Sequence, residues 1–180
     1  GGGGQREGSA LQRLVQDSQH ANNLQLVEIA QRLGIQLKYA EPPERSVPAK
    51  KWVVYEYDAG VCLRVIPVSH GSYFLFGRDQ TLDQLLGQNL IMLHEQTVSG
   101  QHAVLQFRKH EESAAHMVVL REGITEVDED ASGNPYIIDL ASTNGSFLNG
   151  ERMEANVYYR LKEADTLRFA YGDREYRLLL

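Results

Sequence analysis

The chain has 180 residues, of which 42% are hydrophobic and 23% are charged, and its formal net charge is −6. This length fits one ordinary domain with an appendage, because single domains most often hold on the order of 100 to 150 residues. The acidic balance argues against a dominant nucleic-acid surface, since clustered Lys and Arg grip backbone phosphates. No segment approaches the roughly 20 apolar residues of a membrane helix, so we expect no membrane association.

The N-terminal part carries helical signals. Residues 9–33 begin with a capping box, in which Ser9 is followed by Gln12, and continue with helically spaced Leu, Val and Ile. The pair Asn22-Asn23 interrupts this pattern, which predicts either two short helices or one marginal helix. Their apolar stripe must cover either the main domain or another protein, and the sequence leaves both open.

A Pro-rich segment follows, and after it the sequence changes to short β-type runs. Residues 38–52 hold three of the five prolines and no periodic pattern, so we expect an extended tether along a surface. The runs after it have close spacing and turn residues between them, which is typical of an antiparallel β-sandwich. We therefore predict an N-terminal extension over residues 1–51 and an all-β domain over residues 52–180. The runs number about eleven: KWVVYEY, VCLRVIPV, SYFLF, NLIML, AVLQF, MVVL, PYIID, SFL, VYYRL, TLRFAY and EYRLLL.

The cysteine, the histidines and the longest loop do not indicate a disulfide, a metal site or a cofactor site. The single cysteine, Cys62, excludes an internal disulfide and a cysteine-rich metal site, and we interpret it as a core residue of its strand. The six histidines lack the ligand spacing of a zinc site, so we expect no metal and no cofactor. Residues 111–134 include one strand candidate and the acidic run EVDED, which predicts a mobile, negatively charged hairpin or loop.

Three small polar clusters stand at predicted strand ends. Loops gather at the ends of a sandwich, so clusters that are distant in sequence can converge. Together they contain one permanent cation, several hydroxyl groups and an amide. A tetrahedral dianion requires such a forked guanidinium and such short donors, without a neighbouring carboxylate. The clusters are FGRD with Gly77 and Arg78, TVSGQH with Ser99, Gly100 and His102, and STNG with Ser142, Thr143, Asn144 and Gly145.

The blocks GR, SxxH and STNGSFLNG occur in the order that resembles the forkhead-associated (FHA) domain, a family of phosphothreonine-binding sandwiches. The resemblance covers residues 52–180. Longer stretches, among them KYAEPPERSVPAKKWVVYEY and PYIIDLASTNGSFLNGERM, are similar to one branch of that family. This branch comprises the Smad nuclear-interacting protein, plant DAWDLE and yeast pre-mRNA leakage protein. Its members belong to a spliceosome-associated complex that aids splicing and nuclear retention of pre-mRNA, and in some lineages small-RNA processing.

The resemblance implies a role for each matching residue. In the phosphate site, Arg78 pairs with the phosphate, Ser99 and Thr143 donate hydroxyl hydrogen bonds, Gly100 contributes a backbone N–H, and Asn144 holds the peptide backbone. Support of the loops falls to Gly77, His102, Gly145 and Asn149. Of these, His102 is a structural brace without a catalytic role. The pair Asn149-Gly150 is expected to form a tight turn between two strands, since both residues tolerate positive φ.

Two departures from the family pattern bear on the site. Where relatives place a basic residue after the loop serine, this chain has Gly100, which removes one contact to phosphate or peptide. The interval between Arg78 and Ser99 is also longer than usual in the family. Its insertion TLDQLLGQN is expected to reshape the edge of the site or to form a short helix.

These observations favour a non-catalytic, nuclear phosphothreonine reader. Its expected partners are a phosphothreonine-containing protein and subunits of the spliceosome-associated complex, and we expect a monomer whose direct RNA binding is weak at most. The alternative is a structural scaffold with a vestigial phosphate site, which docks to spliceosomal proteins through its N-terminal extension. Gly100 and the acidic residues 126–130 favour the alternative. The sequence argues against an enzyme built on Ser99, His102 and Asp139, since a Gly-x-Ser-x-Gly elbow is missing.

Overall fold

The computed structural model describes residues 23–109, 118–119 and 130–180. These residues contain two helices and twelve strands. Neither helix is long and apolar enough to cross a membrane. The helices are α1 (Asn23–Arg32) and α2 (Asp83–Leu86), with 3-10 turns at Gln80–Leu82 and Gly87–Asn89 on either side of α2. The strands are β1 (Val53–Asp58), β2 (Val61–Pro67), β3 (Tyr73–Gly77), β4 (Leu90–Met92), β5 (Ala103–Arg108), β6 (Val118–Val119), β7 (Asn134–Asp139), β8 (Ser146–Leu148), β9 (Glu151–Arg152), β10 (Tyr158–Arg160), β11 (Thr166–Phe169) and β12 (Glu175–Leu179).

The strands form two six-stranded sheets, which confirms the predicted β-sandwich. The first sheet has the order β2-β1-β12-β11-β8-β9, and the second has the order β4-β3-β5-β7-β10-β6. Most neighbours are antiparallel, but β3 with β4 and β10 with β6 are parallel. The connection from β3 to β4 contains α2, and a parallel pair needs a crossover of about this length. Each of the predicted runs contains a strand, and the strand that the prediction missed is β9.

The core between the sheets is aromatic. Phe74 and Phe76 of β3, Phe107 of β5, Phe169 of β11 and Tyr176 of β12 are fully buried. The rings of Phe76 and Phe169 lie 4.7 Å apart between centroids, across the two sheets. Each such side chain stabilises the fold by about 1.5–3 kcal/mol. This packing fixes the end of β3, where one of the predicted polar clusters begins.

Helix α1 covers the outer face of the second sheet, so its apolar stripe belongs to this domain. Leu26, Ile29 and Ala30 are buried in a cluster with Leu82 and Leu85 of the insertion. The helix ends in a Schellman motif, in which the N–H of Ile35 donates to Ala30 O (2.8 Å) and the N–H of Gly34 donates to Gln31 O (3.1 Å). The Gly34 φ of 73° suits a residue without a Cβ atom. The helical signals of residues 9–22 lie outside the described residues.

The Pro-rich segment runs extended, as predicted, but it is attached to the second sheet. Its backbone pairs with the end of β5 through Ser46 N–H to Phe107 O and Lys109 N–H to Glu44 O. The carboxylate of Glu44 accepts from Arg108 Nε at 2.9 Å, and both side chains are buried. The guanidinium of Arg108 also lies 4.2 Å from the ring centroid of Tyr158. The described part of the N-terminal extension therefore packs against the sandwich through both polar and apolar contacts.

The predictions for Cys62 and for the loop at residues 111–134 have different outcomes: the first is wrong, and the second is mostly not tested. Cys62 is exposed, so its interpretation as a core residue is wrong. It lies in β2, an edge strand whose neighbours Val61 and Leu63 are also exposed, which means that neither face of this strand end is covered. The predicted mobile loop at residues 111–134 lies mostly outside the described residues, where only β6 and residues 130–134 are seen.

Candidate functional site

The three predicted polar clusters lie side by side at one end of the sandwich. Arg78 follows β3, and its N–H donates to Gly100 O at 2.9 Å in the loop before β5. Hydrogen bonds join that loop to the loop between β7 and β8. The N–H of Thr143 donates to Ser99 Oγ at 3.2 Å, and Asn144 Nδ2 donates to Thr97 O at 2.9 Å. Segments that are far apart in sequence thus form one continuous surface.

The guanidinium of Arg78 is held at one end only. Its Nε donates to Val98 O at 3.1 Å, and the side chain is exposed. None of the described carboxylates forms an ion pair with it. The Asp79 carboxylate instead accepts from Thr81 N and Thr81 Oγ1, at 3.0 and 2.7 Å. The two terminal nitrogens of Arg78 are therefore available as a fork for two oxygens of an anion.

Ser99 and Thr143 present their hydroxyl groups on this surface. Ser99 Oγ accepts a hydrogen bond from the backbone of Thr143, so its own hydroxyl hydrogen remains free to donate. Thr143 is exposed, and its hydroxyl has no partner among the described residues. The N–H of Gly100 likewise has no acceptor within the described part of the chain. The loops thus offer several short donors next to one guanidinium.

Buried His102 links the loop of Ser99 to the loop of Gly145. Its Nδ1 accepts from Ser99 N–H at 3.0 Å, and its Nε2 donates to Gly145 O at 2.9 Å. This arrangement requires the neutral imidazole with hydrogen on Nε2. Burial lowers the pKa of His102, while the Gly145 carbonyl and Asp139 oppose the shift in part. Both ring nitrogens are occupied by backbone groups, so His102 is not placed to deprotonate the Ser99 hydroxyl.

Asp139 holds the STNG loop in its conformation, a role that the sequence did not predict. Its buried carboxylate accepts from Ser142 N at 3.0 Å, Ser142 Oγ at 2.7 Å and Ser146 Oγ at 2.6 Å. An Asp three residues before a Ser at a strand end is the available signal, since such residues bond the backbone of their own turn. In the anchored loop, Thr143 is exposed and Asn144 is half-buried against the neighbouring loop.

Glycines allow the close approach of the loops. A Cβ atom on Gly77 would overlap Gly100 O, so only glycine lets β3 pass this close to the next loop. Gly145 has a φ of 84°, and a Cβ there would lie 2.8 Å from Arg152 Nε. A Cβ on Gly100 would lie 3.3 Å from Asp79 Cβ, which is a tight contact. A side chain at position 100 would therefore require a small shift of Asp79.

The predicted hairpin turn at Asn149-Gly150 is present after β8, at the other end of this strand from the STNG loop. Asn149 and Gly150 have φ angles of 50° and 84°, as a type I′ turn requires, and β8 pairs with β9 across them. Asn149 Nδ2 donates to Asp165 Oδ1 at 2.9 Å, and Asn149 Oδ1 accepts from Thr166 N–H at 2.9 Å. Asn149 therefore ties the turn between β8 and β9 to the start of β11.

A two-sheet sandwich with a cationic and hydroxyl-rich loop surface defines a binding module. The FHA domain family model matches residues 74–170. Smad nuclear-interacting protein 1 of Mus musculus is 38% identical over 146 residues, which cover 81% of this chain and 34% of that protein. FHA domain-containing protein DDL of Arabidopsis thaliana is 33% identical over 147 residues, which cover 81% of this chain and 42% of that protein. The chain belongs to the FHA domain family.

Solved structures agree with this assignment at the level of the fold. The structure of the yeast Pml1 splicing factor matches with a TM-score of 0.58 at 22% identity, and the match covers 79% of this chain and 97% of that chain. The FHA domain of TbPar42 matches with a TM-score of 0.55 at 21% identity, over 86% of this chain and 69% of that chain. The chain spans about a third of the length of the first curated relatives that it matches.

Proposed function

We propose that this chain is a non-catalytic module that binds phosphothreonine peptides in a nuclear subunit of a pre-mRNA splicing and retention complex. One observation carries the proposal: Arg78, Ser99 and Thr143 lie on adjoining loops, and the terminal nitrogens of Arg78 and the two hydroxyl groups are free to donate. FHA domains as a family bind phosphopeptides. The splicing and nuclear setting rests on the sequence similarity to the Smad nuclear-interacting protein branch.

Each group has a distinct task in this proposal. The fork of Arg78 takes two phosphate oxygens, and the hydroxyl groups of Ser99 and Thr143 donate to the others, together with the N–H of Gly100. Asn144 holds the ligand backbone. Its Nδ2 is already bonded to Thr97 O, so its Oδ1 remains as the acceptor for a peptide N–H.

The scaffold alternative requires that the N-terminal extension is free to bind a partner. There the extension docks to spliceosomal proteins and the phosphate surface is unused. In the described part of the extension, the side chains of Leu26, Ile29 and Glu44 are buried against the sandwich of the same chain. These contacts compete with docking to a partner, which favours the phosphopeptide reader over the scaffold.

A phosphothreonine peptide array, probed with the wild type and with Arg78→Ala, tests the proposal. The wild type should bind a subset of phosphothreonine peptides and none of their unphosphorylated copies. Arg78→Ala should lose this binding while it stays folded, since it removes a charge-assisted contact from an exposed position. Arg32→Ala, which removes an exposed cation from the last turn of α1, is the control and should bind as the wild type does. Equal binding by wild type and Arg78→Ala would contradict the proposal.

A further inference from the structure

A groove extends away from the phosphate surface on the far side of Arg78. Next to Arg78, Gly100 and His94 lies a cavity of about 550 Å3. A second cavity, of about 860 Å3, lies between the insertion around α2 and the end of α1. Gln80 and Met92 line both cavities, so the two adjoin at these residues and together are called the groove. It leads from the guanidinium proposed to hold phosphate to the Schellman turn that ends α1.

The groove has an apolar wall and a polar edge. Leu33, Ile35 and Met92 are half-buried along it, and Leu85 is buried beneath it. Exposed polar residues of the insertion, Gln80, Asp83 and Gln84, form the opposite edge. Clefts that bind ligands combine apolar walls with polar groups in this way, and they typically hold roughly 300–1,000 Å3, the range in which each of the two cavities falls.

The groove is held open by the fold. The chain after α1 is fixed to the loop of Gly100, because Lys38 N–H donates to Gln101 Oε1 at 2.8 Å and Gln101 Nε2 donates to Gln36 O at 2.7 Å. On the other side, buried Leu82, Leu85 and Leu86 anchor the insertion in the cluster under α1. Both walls are therefore positioned before any ligand arrives.

We infer that this groove binds the residues of the ligand that flank the phosphothreonine on the Arg78 side, and that it selects an apolar side chain there. The inference rests on the proposed function. The occupant follows from continuity, because Gln80 is two residues after Arg78, and two residues of chain span at most about 7 Å. A peptide whose phosphate is bound at Arg78, and whose chain continues toward this side, therefore reaches the groove within a few residues. The exposed carboxylate of Asp83 at the edge favours a basic residue beside the apolar one.

The experiment uses two exposed glutamines of the same insertion. Gln84 lines the groove, and Gln84→Trp fills it without disturbing a buried side chain. Gln88 is equally exposed but faces a different cavity, beside Ile66 and His70, so Gln88→Trp is the matched control. Met92→Ala is a second groove variant, which removes part of the apolar wall and does not fill the groove. Thermal melts of all variants establish that they are folded.

Two probes separate the groove from the phosphate surface. The long probe is the best peptide selected by the wild type from a library with a fixed central phosphothreonine and random flanks. The short probe is phosphothreonine flanked by alanine only. Gln84→Trp and Met92→Ala should weaken binding of the long probe by about tenfold or more, since burial of one apolar side chain is lost. Neither should change binding of the short probe, and Gln88→Trp should change neither.

The possible results are distinguishable. If the library shows no apolar preference on either flank, or if Gln84→Trp binds the long probe as the wild type does, the groove assignment is wrong while the proposed function stands. Equal weakening of both probes by Gln84→Trp would also contradict it, since the groove would then not be a separate subsite. If the wild type binds neither probe better than its unphosphorylated copy, the proposed function itself has failed.

Discussion

The N–H of Thr143 donates to the Ser99 hydroxyl oxygen over 3.2 Å, across 44 positions of sequence. This bond joins the two loops that carry the proposed phosphate donors. It also orients the Ser99 hydroxyl, because an oxygen that accepts from the backbone directs its own hydrogen elsewhere. The pair therefore connects the folding of the sandwich end to its capacity to bind an anion.

Ser99→Ala removes the hydroxyl group that accepts from the Thr143 N–H and that is proposed to donate to the phosphate. We expect phosphopeptide binding to weaken about tenfold or more, since a hydrogen bond to a charged group contributes about 1.5–3 kcal/mol. The free energy of unfolding should fall by only about 0.5–1.5 kcal/mol, because one partly exposed hydrogen bond is lost. Isothermal titration with a phosphothreonine peptide and urea denaturation measure the two quantities. A variant that binds with wild-type affinity would remove Ser99 from the site.

The lowered pKa of His102 predicts a pH dependence of stability. The folded state favours the neutral imidazole, whereas the unfolded chain takes up a proton near its ordinary pKa of about 6.5. The stabilisation is therefore complete above about pH 6.5 and is lost progressively as pH falls toward the lower pKa of the folded state. Urea denaturation at a series of pH values should show this loss in the wild type and less of it in His102→Gln. Identical pH profiles would mean that His102 is not held neutral.

Ligand affinity should fall in the same acidic range for a second reason. The second pKa of a phosphothreonine phosphate is about 6, so the ligand loses one negative charge as pH drops through that value. Affinity should also decrease as salt concentration rises, since part of the Arg78 contact is electrostatic and exposed. Titrations with a phosphonate analogue of shifted pKa separate the ligand effect from that of His102. An affinity independent of both pH and salt would argue against a dianion bound at Arg78.

The buried pair of Glu44 and Arg108 makes the N-terminal extension part of the stable unit. Glu44→Ala leaves the Arg108 guanidinium buried without its carboxylate, and we expect a loss of about 3–5 kcal/mol in the free energy of unfolding. Arg45→Ala is the control, because Arg45 forms a part-exposed pair with Glu41 that is worth at most about 1 kcal/mol. Denaturant titrations compare the two. Equal, small effects would mean that the extension contributes little to stability.

Gly77→Ala tests the close approach of two loops. A methyl group at this position overlaps the Gly100 carbonyl, which forces the loop before β5 to shift. We expect a destabilisation of about 1–3 kcal/mol together with weaker phosphopeptide binding, because Ser99 belongs to the displaced loop. Gly60→Ala is the comparison without a steric overlap: its added methyl group meets no atom within 4 Å, its cost comes from a φ of 79°, and it should keep wild-type phosphopeptide binding. If the two variants lose equal stability and neither loses affinity, the loops are less tightly coupled than the contacts indicate.

The sequence predicts the sandwich well because its strands carry their own signals. Runs of β-branched and aromatic residues with turns between them mark the two sheets, and Asn149-Gly150 marks a hairpin by its tolerance of positive φ. Strand β9 escapes prediction because Glu151 and Arg152 are both exposed and too few to alternate. A short strand of this kind is defined only by its partner, β8.

Contacts between segments that are distant in sequence could not be predicted from the sequence. The pairing of Glu44 with Arg108 joins residues 64 positions apart, and no local pattern marks either as buried. The exposure of Cys62 depends equally on which strand forms the sheet edge. For the site, the order of the polar blocks predicts their convergence, but the anchoring of the loop by Asp139 requires the folded geometry.

Calorimetric titration of one phosphothreonine peptide into the wild type and into Arg78→Ala tests the central claim most directly. We predict measurable binding to the wild type, no binding of the unphosphorylated peptide, and a loss of about tenfold or more in Arg78→Ala with an unchanged melting temperature. Arg78→Lys should fall between the two, since it keeps the charge and loses the fork. Undiminished affinity in Arg78→Ala, or equal affinity for the unphosphorylated peptide, would contradict the account.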